Sequence, residues 1–229
     1  MIELYALNVK DNRDFIKSET AALIVCAARL ANSRKFRNES DFLLSMGGEL
    51  LLRAIICKRL KIKNEDIIFN KTRYGKPFLS GHETFHFNIS HSGQLVICAA
   101  SDIEIGCDCE FISEDNKIDE VKIVYTHNEY ETIRSLSGRD KTVFCHNLWA
   151  LKESYLKCCG IGLNEQPSSL EISFKEQAPA IYKNGRRLDF WLKLYNSYRQ
   201  YSIAACVNKN SAAGIGLIMP ENIIQYSLQ

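Results

Sequence analysis

The carboxylates at positions 108 and 110 carry the sharpest chemical signal in this sequence. They close the stretch Ser101 to Phe111, SDIEIGCDCEF. There Ile103, Ile105, Cys107, Cys109 and Phe111 alternate with Asp102, Glu104, Gly106, Asp108 and Glu110. Side chains alternate faces along a strand. The spacing therefore predicts a strand with one apolar face and one face bearing four carboxylates. Like charges so placed repel unless a cation answers them. Asp108 and Glu110, neighbours on that face, suit a hard divalent ion. Mg²⁺ takes one or two protein carboxylates and completes its shell with water and phosphate oxygens. A solvated outer face is the ordinary reading of an isolated D-x-E. Cys107 and Cys109 fall on the core side, where zinc would lack further thiolate or imidazole ligands. They read as small hydrophobes.

Further groups stand along the chain. In Trp149 to Lys157, WALKESYLK, Glu153 and Lys157 are four apart and share a helix face, with Trp149 one turn earlier on the same side. They read as a surface ion pair, or as a carboxylate that joins a metal or takes a proton beside a lysine that faces phosphate. Ser90-His91-Ser92-Gly93 reads as a hairpin turn that offers a hydroxyl and an imidazole to an anion. Gly75-Lys76-Pro77 holds a lysine at a rigid turn. Ser33 to Arg37, SRKFR, is a local phosphate patch or a solubilising loop.

The elements that must position these groups fall into a repeated order. Leu43, Met46, Leu50, Ile55 and Ile56 recur at helical spacing and predict a helix over Asp41 to Leu60, in which Gly47-Gly48 marks a close contact. A short strand over Asp66 to Phe69, a turn at Tyr74 to Phe78, and strands over Phe85 to Ile89 and Gln94 to Ala100 follow. The second half begins with a helix over Asp140 to Cys159, capped at Gly160. A strand follows over Leu170 to Phe174. Ala180 to Lys183 and Arg186 to Leu194 flank the hairpin signal Asn184-Gly185, and Tyr201 to Val207 closes the series. Two related α+β halves are the expectation, divided at 1–104 and 105–229. Thr126-His127-Asn128-Glu129 predicts a capping box opening a helix to about Leu136. The stretch Asn116 to Tyr125 is expected to be mobile and near the cleft.

Composition narrows the function classes. With 29 Lys and Arg against 27 Asp and Glu, the balance of +2 draws the chain to neither nucleic acid nor an anionic membrane, so an anionic partner needs a local patch. Apolar residues at 46% and charged residues at 24% exclude a disordered or fibrous chain. No basic region followed by an apolar run opens the sequence, and no run is long enough to span a bilayer. The nine cysteines are odd in number and contain no C-x-x-C pair. They read as reduced thiols of a cytosolic protein.

The order and spacing of these motifs resemble a known family. Gly75-Lys76-Pro77, Phe87-Asn88-Ile89-Ser90-His91-Ser92, Ile105-Gly106 with Asp108 and Glu110, and Trp149 with Lys152-Glu153-Ser154, Lys157 and Gly160-Ile161-Gly162-Leu163 are similar to the 4′-phosphopantetheinyl transferases. The branch most similar is the monomeric surfactin-synthetase type. The resemblance implies transfer of the phosphopantetheine arm of coenzyme A to a serine of an apo acyl or peptidyl carrier protein, releasing 3′,5′-ADP. It implies a pseudo-dimer of two α+β halves with coenzyme A in the cleft between them. Asp108, Glu110 and Glu153 would hold Mg²⁺, or Mn²⁺. Lys157 would meet the pyrophosphate, Ser90 and His91 the coenzyme A phosphates, and Lys76 the nucleotide and its 3′-phosphate. Glu153 is the candidate base, directly or through a water. A basic residue common in the family near the first long helix is replaced here by Phe42, Leu43 and Leu44. Arg34 and Lys35, or Arg37 or Arg53, are the candidates to stand in for it. A phosphodiesterase using the same carboxylates would need a broad basic groove. A non-catalytic coenzyme A or carrier-binding module would have no use for Glu153 and Lys157. Serine hydrolysis lacks a G-x-S-x-G elbow.

Overall fold

The computed structural model describes residues 1–113, 124–210 and 221–228. The chain opens with β1 (Ile2–Asn8), the short helices α1 (Arg13–Ile16), α2 (Glu19–Ile24) and α3 (Ala27–Ser33), and the long helix α4 (Glu39–Leu60). Strands β2 (Phe69–Lys71), β3 (Pro77–Leu79), β4 (His86–Ser92), β5 (Leu95–Ser101) and β6 (Ile105–Phe111) follow. Then come α5 (His127–Ser135) and the second long helix, α6 (Gly138–Cys159). The chain ends with β7 (Leu170–Ser173), β8 (Ala180–Lys183), β9 (Arg186–Arg187), β10 (Phe190–Tyr195), β11 (Tyr201–Asn208) and β12 (Ile224–Gln225). No helix among the described residues is long and apolar enough to cross a membrane.

The duplication expected from sequence is present, and it starts one strand earlier than the sequence suggests. Each half runs strand, 22-residue helix, small hairpin sheet, then an antiparallel pair. In each, the last strand of the pair takes the centre, giving β1-β5-β4 and β6-β11-β10. Strand β6, which carries Asp108 and Glu110, is thus the counterpart of β1. The protein is an α+β pseudo-dimer. Residues 221–228 return to the first half: β12 pairs parallel with β1, and Tyr226 N–H donates to the Ala6 carbonyl at 2.8 Å.

Three apolar cores stack the layers in the order helix, sheet, sheet, helix. The first packs α4 residues such as Leu51 and Ile55 on Leu7, Val96 and Cys98. The second joins the two sheets through Leu4, Ile97, Cys107, Cys109, Ile203 and Ala205. The third packs Leu148, Leu151 and Leu156 of α6 on Ala204 and Cys206. Burying each large apolar side chain contributes about 1.5–3 kcal/mol before the entropy of ordering it is counted.

Local rules place the helix ends. Asn38 caps α4 by accepting the Ser40 N–H, and Gly160 ends α6 in the left-handed region at φ 67°, as the sequence predicts. The Thr126–Glu129 capping box forms with both reciprocal bonds. Asn184 and Gly185 turn the β8–β9 hairpin with φ 51° and 73°. Gly47 is a close contact: a Cβ there would lie 2.9 Å from Val9 Cγ1.

Several expectations are corrected. The strand expected over Asp66 to Phe69 begins only at Phe69, because Asn64–Asp66 forms a short 3₁₀ turn. Ser90, His91 and Ser92 lie in strand β4, not in a turn. Ser92 pairs with Leu95, so the turn is confined to Gly93 and Gln94. The strand expected over Arg186 to Leu194 divides into β9 and β10, which belong to different sheets. Of the two readings open for Asp108 and Glu110, the solvated outer face does not hold, because α6 packs over that face of β6. The stretch expected to be mobile, Asn116 to Tyr125, lies outside the described residues except for Val124 and Tyr125, which are buried, so that expectation is not among those corrected.

Candidate active site

Strand β6 and helix α6 build one wall of the site, and strand β4 builds the other. Gly106 makes the first wall possible. A Cβ at this position would lie 2.1 Å from the Ser154 carbonyl oxygen, so α6 rests directly on the β6 main chain. That close approach brings Asp108 and Glu110 on the strand to Glu153 and Lys157 on the helix. Across the seam, β4 contributes Ile89, Ser90 and His91. These residues and Trp149 line a cavity of about 410 Å³.

The polar groups inside it are tightly linked. Lys157 Nζ lies 2.5 Å from Asp108 Oδ1 and donates to Ser90 Oγ at 2.9 Å. Ser90 Oγ donates in turn to Asp108 Oδ1 at 2.8 Å. Trp149 Nε1 donates to Glu110 Oε1 at 3.0 Å. Asp108 is 2% exposed, and its second oxygen, Oδ2, is buried without a hydrogen-bond partner. An orphaned buried carboxylate oxygen is costly and marks a place where a cation or donor belongs.

Electrostatics follow from this crowding. Burial first, and then the charge of Asp108, push Glu110 up to about 7, against the Trp149 bond that favours its ionised form. Burial raises Glu153 as well, Asp108 adds to the effect, and Lys157 opposes it. Burial alone would lower Lys157, but Asp108, Cys107 and Glu153 outweigh it and keep the ammonium charged. Burial and the Lys157 charge lower His91 and favour the neutral imidazole. Carboxylates raised in a cleft are common at functional sites.

The structure therefore brings together Ser90, His91, Asp108, Glu110, Glu153 and Lys157. It does not bring Lys76, Arg34 or Lys35 to this cavity. Lys76 Nζ is held at 2.7 Å from Glu104 Oε2, 2.9 Å from the Cys158 carbonyl and 3.3 Å from the Ile105 carbonyl. Arg34 and Lys35 follow α3, with Lys35 bonded to Asn32. Arg53 is buried and committed to Glu49 and Asn64, and Arg37 is exposed. Of the four carboxylates expected to share a face, only Asp108 and Glu110 enter the cavity. Asp102 pairs with Arg59 and the terminal amine, and Glu104 with Lys76 and His86.

Sequence reasoning gave Trp149 no bond to Glu110 and gave Lys152 no role. Lys152 is fully buried and binds Glu129 at 2.5 Å and the Val124 carbonyl at 2.8 Å. The signal was available: Lys152 falls on the same helix face as Leu148, Tyr155 and Leu156, where a lysine needs a buried partner.

Comparison with known proteins decides the family. Residues 17–103 match the family described as 4′-phosphopantetheinyl transferase, N-terminal, and residues 104–206 match the 4′-phosphopantetheinyl transferase superfamily. The 4′-phosphopantetheinyl transferase gsp of Aneurinibacillus migulanus is 34% identical over 184 residues, covering 80% of this chain and 76% of that protein. This chain belongs to the 4′-phosphopantetheinyl transferase family. The transferase psf-1 of Bacillus pumilus is 29% identical over 226 residues, spanning 97% of this chain and 95% of that one. Sfp of Bacillus subtilis strain 168 is 29% identical over 174 residues, 76% of this chain and 77% of that protein. The family's members are enzymes, and the cavity between β4, β6 and α6 is the candidate active site of this one.

Proposed function

We propose that the chain moves the 4′-phosphopantetheine arm of coenzyme A onto the serine hydroxyl of an apo acyl or peptidyl carrier protein, with release of 3′,5′-ADP. The observation that carries this reading is the meeting of Asp108, Glu110, Glu153 and Lys157 with Ser90 and His91 in one cleft. A carboxylate cluster beside a lysine suits phosphoryl chemistry, and both walls of the cleft come from one chain. In this reading the halves divide at 104 and 105, and the protein acts as a monomer in the cytosol. It takes neither nucleic acid nor a membrane as partner.

The residues present fit Mg²⁺, or Mn²⁺. Among the described residues no three His, Cys, Asp or Glu side chains already form a metal cluster. Mg²⁺ does not require one, since one or two carboxylates, water and substrate phosphate oxygens satisfy it. The orphaned Asp108 Oδ2 and the raised Glu110 are where such an ion is wanted. Asp108, Glu110 and Glu153 would hold it. When bound, it supplies neutralisation of the charge on the phosphate oxygens.

The chain's own groups do the rest. Lys157, kept charged, offers its ammonium to the pyrophosphate and stabilises the negative charge that grows on 3′,5′-ADP. Ser90 and the neutral His91 hold phosphate oxygens from the opposite wall, and Lys76 and the basic residues Arg34 and Lys35 are assigned to the nucleotide end. The carrier serine is a poor nucleophile until its proton leaves. Glu153, its affinity for a proton raised by burial, accepts that proton as the serine oxygen bonds to the β-phosphorus and the bridging P–O bond breaks. Holding the serine in line with the leaving oxygen supplies much of the remaining acceleration. Incubation with coenzyme A, Mg²⁺ and a panel of apo carrier proteins tests the reading by mass spectrometry. Gain of one phosphopantetheine by a carrier is expected. No gain on any carrier by a folded protein would remove it.

A further inference from the structure

Strands β4 and β6 are the facing edges of the two half-sheets, and side chains join them. Asn88, Ser90 and Ser92 alternate along β4 and so leave it on one face. Asn88 Oδ1 accepts the Cys107 N–H at 2.9 Å, and the Asn88 carbonyl accepts the Cys107 S–H at 3.2 Å. Ser90 Oγ donates to Asp108. Ser92 Oγ accepts the Phe111 N–H at 2.9 Å and donates to Glu110 Oε2 at 3.4 Å. Along all these rungs the partners stay 18 or 19 residues apart, so the two strands run parallel across the seam.

The rungs are not alike. Ser90 and Ser92 touch the cavity carboxylates Asp108 and Glu110, and Ser92 also accepts the Phe111 N–H at the exposed end of the seam. Asn88 touches neither carboxylate. It is buried and grips Cys107 through both its own side chain and its main chain. A contact to main-chain N–H fixes register, because a slip of one residue turns that N–H to the other edge. After such a slip Ser90 would face a cysteine instead of Asp108, and the link from β4 through Ser90 to Asp108 and Lys157 would be lost.

We propose that Asn88 is the register pin of the interface between the halves, a positioning residue for transfer that touches no substrate. The inference rests on the transferase reading. Asn88→Ala and Asn88→Asp are compared with the parent in the full chain, by turnover with coenzyme A and an apo carrier and by residue-resolved amide exchange. For Asn88→Ala, the Cys107 amide is expected to exchange at least about 10-fold faster while the Phe111 amide stays protected. Its kcat falls at least about 10-fold, with the KM for coenzyme A held within about threefold, because groups are misaligned rather than removed. Asn88→Asp keeps an acceptor oxygen at the same reach, and it restores Cys107 protection and most of kcat. A folded Asn88→Ala with parental kcat overturns the inference, as does one that loses kcat with Cys107 still protected. If Asn88→Ala does not fold, Asn88→Asp decides alone: Cys107 protection with parental kcat supports the pin, and protection with lost kcat overturns it. An inactive parent would overturn the transferase reading, while the exchange data would still judge the seam.

Discussion

Gly106→Ala probes the contact that assembles the site. The new Cβ would stand 2.1 Å from the Ser154 carbonyl oxygen, 2.3 Å from Cys158 N and 2.8 Å from Cys158 Cα. All three are main-chain atoms of α6, so no rotamer change relieves the clash. Ordinary contact begins at 3.4 Å, and α6 must therefore retreat by the 1.3 Å that separates the two distances. Ser154 and Cys158 each adjoin a residue of the site, Glu153 and Lys157. A retreat directed along the Lys157–Asp108 pair would stretch its 2.5 Å to about 3.8 Å, beyond hydrogen-bond reach. Overpacking of this kind costs about 1–3 kcal/mol, and a chain of this size loses about 2–4 °C of Tm per kcal/mol, so a fall of about 2–12 °C is expected. Turnover should fall about 100-fold, the cost of a misplacement near 1 Å. Scanning calorimetry and carrier loading by mass spectrometry measure the two effects. Gly48→Ala is the control, since its Cβ meets nothing closer than 3.5 Å, and helix propensity alone should stabilise it by up to about 1 kcal/mol. A Gly106→Ala protein with Tm within about 1 °C of the parent and undiminished turnover would refute the direct contact of helix and strand.

Three other perturbations test separate parts of the argument. Glu153→Gln should leave the melting curve near that of the parent and reduce turnover about 100- to 10,000-fold, the usual worth of a general base; near-normal turnover at saturating Mg²⁺ would remove the base assignment. Glu104 is held down to about 2, first by His86 and then by Lys76, so its ionised form stabilises the fold above the ordinary value of 4.5 and that contribution fades as pH falls toward 2. The stability gap between parent and Glu104→Gln in urea should therefore be present at pH 7 and closed near pH 2, and a gap independent of pH would refute the pairing. Lys152→Met strands Glu129 in the interior and should cost about 3–5 kcal/mol in urea unfolding; a loss below about 1 kcal/mol would mean that Glu129 is satisfied by the Thr126 and Ile172 amides alone.

The fold was readable where a local rule has a local cause. The Gly160 cap, the Thr126–Glu129 box and the Asn184-Gly185 turn formed as the residues require, and the helical spacing placed α4 and α6 within two residues. The site was readable as a set of motifs in order. What failed was any inference about the far side of an element. The alternation of β6 separated its two faces correctly, with Cys107 and Cys109 against the other sheet. It could not show that α6 covers the acidic face and leaves Asp108 only 2% exposed. The ion pairs of Lys76, Asp102 and Glu104 stay hidden in the sequence for a related reason. Their partners lie 18 or more residues away, or at the chain terminus, and no local pattern encodes such pairs.

The duplication also explains why the candidate site is built on the second half's helix and strand and not on the first's. Matching β1 to β6 position by position sets Tyr5 opposite Asp108 and Leu7 opposite Glu110, and matching α4 to α6 sets Ala54 opposite Glu153. Tyr5 and Leu7 are buried in the first core, so the equivalent place in the first half is filled with apolar packing. Both halves still need a helix close to its strand, and they reach that end by opposite means. In the first half the glycine sits on the helix, where Gly47 admits Val9 and Leu7. In the second it sits on the strand, where Gly106 admits the main chain at Ser154 and Cys158. A glycine on the strand leaves every helix position free to carry a side chain, so Trp149, Glu153 and Lys157 can all point at the carboxylates of β6. The first half gives up the helix position Gly47 to the approach of its strand, and holds its helix by apolar packing together with the Arg59–Glu3 ion pair to β1. The second half uses the same architecture to hold charge, which is why substitution at Gly106 should damage chemistry, while substitution at Gly47 should damage stability.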